Sequence, residues 1–217
     1  MIYNVTFTSN HAKAQKNGAH RTVFWVQKRK AGEDGSIKGD KWVGSCKYVG
    51  DWRDNCKEGF GIQYYKSGDK YEGMWSLDKR HGQGTYWRME AKKLRREYTG
   101  DWFEDKKHGR GTFFYKNGDR YDGYWVNGKP QGEGRMIYAN ESIYEGQWHE
   151  AKRNGYGVMT KRNGDHFEGH WVNDLREGQG SYFYHDKNKL FVGEWVNDQP
   201  KNGVYTEVED EQAEKRP

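Results

Sequence analysis

The chain has 217 residues, enough for one or two globular domains, and only 33% of them are hydrophobic. Ten Trp, 16 Tyr and 9 Phe make up much of that share, so we expect a core of packed aromatic rings, which bury a large area per residue. A net charge of +5 excludes a disordered polyelectrolyte, and two Cys are too few for a disulfide scaffold.

Charge is distributed unevenly along the chain. Residues 1–47 hold nine Lys/Arg against three Asp/Glu, and residues 205–217 hold two bases against five acids. We therefore predict a basic N-terminal arm (1–47), a nearly neutral array (48–204) and an acidic tail (205–217). The arm is a candidate for binding acidic surfaces. No signal peptide opens the chain and the longest apolar runs have about four residues, so we expect a cytoplasmic protein.

Seven copies of the motif aromatic-x-Gly-x-Trp run through the array, beginning 23, 27, 23, 23, 23 and 24 residues apart. A fixed period of this length indicates a repeat architecture in which each unit contacts only its neighbours. The predicted repeats are 48–70, 71–97, 98–120, 121–143, 144–166, 167–190 and a partial capping repeat, 191–204.

We number each repeat from its first aromatic residue as position 0. Apolar positions 0, 2 and 4 alternate with polar positions 1 and 3, which predicts a strand with one buried face. A polar turn follows (53–58 in the first repeat), then Gly-x-Gly at positions 11 and 13, a second strand and a Gly-Asp turn. In the last repeat Asn202 and Val204 occupy the two glycine positions. Each repeat is thus a β-hairpin, and because single hairpins are marginally stable, they must stack.

The predicted fold is all-β, a single elongated, twisted antiparallel sheet of stacked hairpins. The combination of Tyr-Glu-Gly-x-Trp, Gly-x-Gly and Asn-Gly-Asp resembles the MORN repeat (membrane occupation and recognition nexus) over residues 48–204. Residues 91–96 are an insertion in the second repeat, and residues 14–25 resemble a degenerate half-repeat that caps the array. Repeat number, cap and length resemble a family member of ciliated and flagellated cells.

A basic residue recurs four to six residues after each Trp. Stacking of the repeats would place these residues in a row, as a candidate binding edge for lipid head groups, nucleic acid or acidic protein tails. The alternative is that they guard the sheet against aggregation, because acidic residues in the same turns cancel much of their field. The candidate basic edge comprises Lys57, Arg80, Lys107, Lys129, Arg153, Arg176 and Lys201.

A second candidate surface lies at position 16. Strict alternation places positions 15 and 17 on the same face as the Trp residues and turns position 16 to the other face. Contiguous exposed apolar side chains usually mark a protein interface, whereas a bulge at Gly-x-Gly would shift the register and bury them. The candidate partner-binding stripe comprises Tyr64, Trp87, Phe114, Ile137 and Phe183.

Repeats and caps account for nearly the whole chain and leave no room for a catalytic domain, so we predict no enzyme activity and no cofactor. His166, Glu168 and His170 share one face of a predicted strand, but they fill ordinary polar positions of the repeat, and we predict no metal site.

The leading functional hypothesis is a non-catalytic scaffold that docks along axonemal or other cytoskeletal proteins, because the resemblance implies a cilium, a flagellum or another microtubule-based assembly. One alternative is a peripheral binder of acidic phospholipid membranes, which the nearly neutral repeats disfavour. Another is an adaptor that regulates an enzyme on a separate chain. Nucleic acid is not an expected partner, because the basic arm lacks interleaved aromatic residues.

Overall fold

The computed structural model describes residues 17–31 and 37–208, with side chains described at 17–22 and 46–208. Most of the predicted acidic tail and the first part of the basic arm lie outside these ranges. The described residues form 15 antiparallel strands and one short 3-10 helix, His185–Lys187. They divide into two compact units, residues 1–106 and 107–217, with the division after the first residue of a strand.

Six strands of the first unit pair in chain order, each antiparallel to the next. The first two form a hairpin that pairs from Gly18–Trp52 to Ala31–Ile37 and is longer than any repeat hairpin. The strands are β1 (Gly18–Ala31), β2 (Ile37–Arg53), β3 (Cys56–Tyr64), β4 (Lys70–Ser76), β5 (Lys79–Glu90) and β6 (Lys93–Phe103).

Nine strands of the second unit also pair in chain order. They are β7 (Lys106–Phe114), β8 (Arg120–Val126), β9 (Lys129–Ile137), β10 (Ile143–His149), β11 (Lys152–Thr160), β12 (His166–Val172), β13 (Leu175–Tyr184), β14 (Lys189–Val196) and β15 (Gln199–Glu207). The predicted fold of stacked antiparallel hairpins is therefore confirmed within each unit.

Glycines from neighbouring strands lie opposite one another and form a row within each unit. The position 2 glycine of a repeat pairs with its position 13 glycine, as Gly123 does with Gly134. The position 13 glycine then pairs with position 2 of the next repeat, as Gly134 does with Gly146. Because directly opposed residues share a face, the register defines an aromatic face with positions 0, 2, 4, 13 and 15. Positions −1, 1, 3, 12, 14 and 16 lie on the opposite face.

The glycine row makes room for the position 0 rings, which lie across it. A Cβ atom placed on Gly61 would be 2.1 Å from Tyr48 Oη, and one on Gly134 would be 2.3 Å from Tyr121 Oη. The Tyr48 and Tyr121 hydroxyls donate hydrogen bonds to the carbonyl oxygens of position 3, at 3.1 Å in both repeats. Only glycine allows a ring to pack this closely against two adjacent strands.

Position 0 rings inside each unit are held between two tryptophans, as is seen at Tyr48, Tyr71, Tyr121, Tyr144 and Phe167. Tyr144 contacts Trp148 of its own repeat and Trp171 of the next in edge-to-face geometry, with ring centroids 5.3 and 5.4 Å apart. The Trp171 Nε1–H donates to the carbonyl oxygen of Gly157 in the preceding repeat at 3.1 Å. The aromatic core is therefore shared between neighbouring repeats, and a single repeat could not bury it alone.

The turn between the two strands of a repeat is shorter than the six-residue polar segment that the sequence predicts. In the first repeat it contains only Asp54 and Asn55, with φ angles of 49° and 67°. Two consecutive positive φ angles are the geometry of a type I′ hairpin turn, whose twist matches that of paired strands. The following residues, including the basic position 9, therefore belong to the second strand.

The last repeat keeps its place in the glycine row, contrary to the sequence-based alignment of Asn202 and Val204 with the two glycines. Gly203 pairs with Gly193, and a Cβ atom on Gly203 would be 2.5 Å from the Phe191 ring. The bulge after the turn is one residue shorter here than in the other repeats, because Trp195 pairs with Pro200 and Glu194 with Asn202. Because the bulge has one residue fewer, Gly203 falls opposite Gly193 and the strands pair regularly beyond this point.

We predict that Gly134→Ala destabilises the protein by about 3 kcal/mol, because the added methyl group overlaps the Tyr121 ring. Urea unfolding followed by Trp fluorescence measures the change in the free energy of unfolding. The same substitution in a Tyr121→Leu background, which lacks the ring, should cost less. An equal penalty in both backgrounds would show that the ring is not the reason for the glycine.

Candidate functional site

Most of the predicted basic edge packs on the aromatic face. Five of its residues occupy position 9, where the side chain lies over the Trp ring of the following repeat. For Arg80, Arg153 and Arg176 the guanidinium carbon is 4.2 Å from the ring centroid. Lys57 and Lys107 place Nζ at 4.5 and 4.8 Å from their rings. These cations therefore make cation–π contacts inside the stack.

A carboxylate of the next turn completes this arrangement, which we call the turn clamp. Asp174 Oδ1 accepts hydrogen bonds from the Arg153 backbone N–H at 3.0 Å and from Arg153 Nε at 3.1 Å. Arg153 Nη2 also donates to the Asp174 carbonyl oxygen at 2.8 Å, and the Asp174 N–H donates back to the Arg153 carbonyl at 3.0 Å. A guanidinium held by a carboxylate and by backbone is a strong, directional contact.

The turn clamp recurs at three other junctions between repeats. Arg80 with Asp105 and Arg176 with Asp198 repeat the whole arrangement, each with a 3.0 Å ion pair. At the first junction the Lys57 backbone N–H donates to Asp78 Oδ1 at 2.9 Å. Burial lowers the pKa of Lys57, and the nearby Asp78 partly offsets this effect. The three clamp arginines are thus paired with acids of the array itself.

Two consecutive junctions of the second unit lack the clamp carboxylate. Opposite Lys107 the turn residue is Gly128, and opposite Pro130 it is Ala151, so neither residue at the clamp position has a side-chain acceptor. Pro130 has no N–H to be accepted and no cation to be paired, and it is itself buried. Donor and acceptor are therefore missing together at the junction of Pro130 and Ala151.

The two remaining residues of the predicted basic edge differ from the others. Lys129, the first residue of β9, forms an ion pair with Glu150, and both side chains are more than half exposed. Lys201 is exposed on β15, the last described strand. The predicted row of seven equivalent cations is thus five cations packed on Trp rings, four of them with a clamp carboxylate, together with one exposed ion pair and one exposed lysine. Its binding role stays a prediction.

The opposite ends of the hairpins carry a second set of junction contacts, made by the aspartate of the Gly-Asp turn. Asp165 Oδ2 accepts a hydrogen bond from Tyr182 Oη and Oδ1 accepts one from the His185 backbone N–H, both at 3.0 Å. Asp69 does the same with Tyr86 Oη and the Met89 N–H, both at 2.8 Å. Burial opposes ionisation of Asp69 and Asp165, but these hydrogen bonds outweigh it and the pKa of both carboxyls is lowered.

The predicted position 16 stripe lies on the face opposite the Trp rings, because pairing is regular from position 13 to position 16. Tyr64 is 37% exposed, whereas Trp87, Phe114 and Ile137 are half-buried. Phe183 differs from the expectation of an exposed side chain. It is 8% exposed, because the His166 ring packs against it with centroids 5.3 Å apart. Exposure along the stripe is therefore uneven, and its role in binding a partner stays a prediction.

An apolar cluster that the sequence-based stripe missed lies on this opposite face of the first unit. Phe60 and Met74 are directly opposed on β3 and β4 and are 50% and 41% exposed. Ile62 and Tyr64 follow Phe60 on the same face of β3. We call Phe60, Ile62, Tyr64 and Met74 the β3–β4 cluster. Position 12, where Phe60 lies, is polar in most repeats, and that deviation was the available sequence signal.

The aromatic face of the second unit contains a groove of about 190 Å³. Met159, Phe167, Trp171 and Tyr182 line it together with the clamp cations Arg153 and Arg176. Both clamp cations are paired with carboxylates, and a third cation that lines the groove, Lys161, lies 3.9 Å from Asp165.

The repeats identified from geometry match a known sequence family. The MORN repeat family matches residues 48–70, 71–89, 98–120, 121–143, 144–166, 167–189 and 191–201, which is more than half of the chain. The chain belongs to the MORN repeat family. A MORN array suggests a binding or scaffold role, and the family is in general a non-enzymatic binding module.

Two solved structures resemble the MORN array only distantly. The SAS-4 (dCPAP) TCP domain, in complex with a proline-rich motif of Ana2 (dSTIL) of Drosophila melanogaster, is 14% identical with a TM-score of 0.39. The match covers 74% of this chain and 84% of that one. A streptogramin B lyase is 10% identical with a TM-score of 0.19, over 88% of this chain and 74% of that one.

The described MORN residues include no group of three His, Cys, Asp or Glu side chains that could hold a metal ion. None of the described segments is a helix of the length and apolarity required to cross a membrane.

The burial of the aromatic face raises the pKa of tyrosines such as Tyr115 and Tyr138, which keeps them neutral in the core.

We predict that a turn clamp can be introduced where it is missing. Pro130→Arg with Ala151→Asp should place a guanidinium over Trp148 and pair it with a carboxylate, with a coupling energy of about 1–2 kcal/mol. Urea unfolding of both single variants and the double variant measures this coupling. Strictly additive single effects would show that the clamp does not stabilise the junction.

We predict that Asp165 contributes stability that depends on pH. Its folded-state pKa is lowered, so its contribution is present above the unfolded-state pKa of about 3.9 and is lost as the pH falls through the folded-state value. Asp165→Asn should lower the urea midpoint at neutral pH and reduce the loss of stability on acidification. Glu145→Gln, at an exposed ion pair with Arg135, is the control and should behave as wild type. A wild-type acid response in Asp165→Asn would contradict the assignment.

Proposed function

We propose that this MORN repeat protein is a non-catalytic scaffold that docks along partner proteins in a ciliary or flagellar axoneme or another microtubule-based assembly. The binding role is supported by the β3–β4 cluster, where Phe60, Tyr64 and Met74 remain substantially exposed on one face. An exposed apolar group of this kind is typical of a protein interface. The cytoplasmic and axonemal setting rests on the resemblance of repeat number and N-terminal cap to a member from ciliated and flagellated cells.

Pairing of the cations favours a protein partner over a membrane. Binding to anionic lipid depends on a surface field of one sign, with about 1 kcal/mol for each basic residue near the surface. In the described repeats, Arg80, Arg153 and Arg176 face acids at 3.0–3.1 Å, and the Lys129 side chain contacts Glu150. Acids of the same turns therefore cancel most of the field of the basic edge beyond a Debye length.

The proposal is tested by co-sedimentation of the purified protein with salt-stripped axonemes, followed by cross-linking mass spectrometry. We predict that Phe60→Asp with Met74→Asp lowers the bound fraction at least tenfold, because two charges would be placed in the β3–β4 cluster. The control is Val172→Asp, a substitution of a 44% exposed residue in the other unit. Circular dichroism checks that all variants fold.

Flotation with vesicles that contain phosphatidylserine tests the lipid alternative in the same variants. Retention on these vesicles that disappears in Lys129→Glu with Lys201→Glu, combined with no binding to axonemes, would contradict the scaffold proposal.

A further inference from the structure

The second repeat differs from its neighbours at the end of its second strand. In the first repeat β3 ends at Tyr64, whereas in the second repeat β5 and β6 stay paired for three residue pairs beyond the equivalent position. Only Ala91 and Lys92 connect the two strands, with φ angles of 46° and 64°. The insertion that the sequence indicates is therefore the end of a regular hairpin, lengthened by about 10 Å. We call residues 88–97 the inserted hairpin. Its additional pairs are Arg88–Arg95, Met89–Leu94 and Glu90–Lys93.

The inserted hairpin is fixed to the turn that precedes it. Asp69 in this turn accepts hydrogen bonds from the Met89 N–H and from Tyr86 Oη, both at 2.8 Å. Asp69 also accepts a hydrogen bond from Arg88 Nη1 at 3.3 Å. The Met89 side chain lies over Gly68, where a Cβ atom would be 2.9 Å from Met89 Cγ. Because these contacts join the hairpin to the body of the first unit, it presents its side chains in a defined arrangement.

The positive excess of the repeat array lies in the inserted hairpin. Residues 88–97 contain five bases and two acids, whereas the other residues of the array (48–204) contain 21 bases and 22 acids. Like charges that are directly opposed, such as Arg88 and Arg95, destabilise a hairpin. Stability alone therefore does not account for this concentration of bases. A local field of one sign attracts ligands of the opposite charge.

Both acids of the inserted hairpin are already bound by its own arginines. Arg88 Nε and Nη2 donate to the two carboxylate oxygens of Glu97 at 2.9 and 3.0 Å. Arg95 Nε and Nη2 donate to those of Glu90 at 3.3 and 3.2 Å. The tip of the hairpin carries two exposed lysines, Lys92 and Lys93. An external carboxylate can therefore approach these tip lysines without displacing an acid of the hairpin.

Apolar side chains connect the inserted hairpin to the β3–β4 cluster. Leu94 is 42% exposed and lies opposite Met89. Alternate residues of a strand share a face, so both lie on the face of Trp87. Trp87 is opposite Lys70, which is opposite Tyr64 of the cluster. This face of the first unit is thus apolar at the cluster and basic at the hairpin.

We propose that the inserted hairpin binds an acidic segment of a protein partner. Carboxylates of this segment pair with the tip lysines, while its apolar residues cover Leu94 and the β3–β4 cluster. The inference rests on the proposed scaffold function and specifies the chemistry of the partner at that surface.

The same contacts favour a protein segment over the other anionic ligands. Binding to anionic lipid typically uses clusters of about four to eight basic residues, whereas five bases against two acids leave an excess of only three in the hairpin. Single-stranded nucleic acid stacks its bases on open aromatic rings. On this face Lys70 Nζ lies over the Trp87 ring, 4.3 Å from its centroid.

Fluorescence anisotropy with the full chain and a labelled peptide of about 15 residues, which repeats Glu-Glu-Leu, tests the proposal. We predict that the wild type binds this peptide at least tenfold more tightly than a matched Gln-Gln-Leu peptide, and more weakly as the salt concentration rises. Lys92→Glu with Lys93→Glu should lower the affinity at least tenfold. The control is Lys116→Glu with Lys152→Glu, the same change of charge at two exposed lysines of the other unit, and it should bind as wild type. Circular dichroism checks that both variants fold.

Co-sedimentation with salt-stripped axonemes separates this inference from the scaffold proposal. If Phe60→Asp with Met74→Asp lowers binding to axonemes and Lys92→Glu with Lys93→Glu does not, the scaffold proposal stands and the acidic partner is overturned. Equal affinity of the wild type for the two peptides, or an equal loss of affinity in the hairpin variant and its control, would also overturn it. The same holds for binding to phosphatidylserine vesicles or to oligouridine that is tighter than peptide binding and is lost in the hairpin variant, because the ligand would then be lipid or nucleic acid.

Discussion

The close packing of an aromatic ring against two paired glycines is the constraint on which the rest of the structure depends. Tyr48 crosses Gly50 and Gly61, and any side chain at either glycine would overlap the ring. The ring can lie there because it is also held edge-to-face by Trp52 and by Trp75 of the next repeat. One of its two Trp contacts thus comes from the next repeat, which is why the unit is stable only as part of a stack.

This constraint explains how much of the fold the sequence predicts. Aromatic, Gly and Trp residues at period two determine the strand, its buried face and its stacking, all of which the structure confirms in each unit. The two-residue turns were not predictable from composition, because positive φ angles occur at residues as different as Asp54, Leu77 and Ala151. The place of Gly203 in the glycine row depends on the length of a bulge, which the spacing of side chains alone does not specify.

The candidate site was harder to predict than the fold, because the role of a charge depends on its neighbour in the next repeat. In the sequence, Arg153 and Arg176 resemble members of an exposed row of basic residues. In the structure they pair with Asp174 and Asp198, which lie 21 and 22 residues further along the chain. One signal in the sequence is correlated loss, since the repeat with Pro130 at this position is followed by a turn with Ala151 in place of the clamp aspartate. Apolar exceptions at normally polar positions, such as Phe60, are a second signal.

The pairing of charges within the MORN array indicates which of its surfaces are available for binding. Cations that stack on tryptophans and pair with carboxylates stabilise the junctions between repeats. Because acids of the array already neutralise these cations, they present little net positive charge to an external anion. What remains are surfaces that the repeat rule does not satisfy internally. Among them are the apolar exceptions on the face opposite the rings, where Phe60 and Met74 are directly opposed and are 50% and 41% exposed. A partner that buries these side chains would gain hydrophobic area without having to break a junction between repeats.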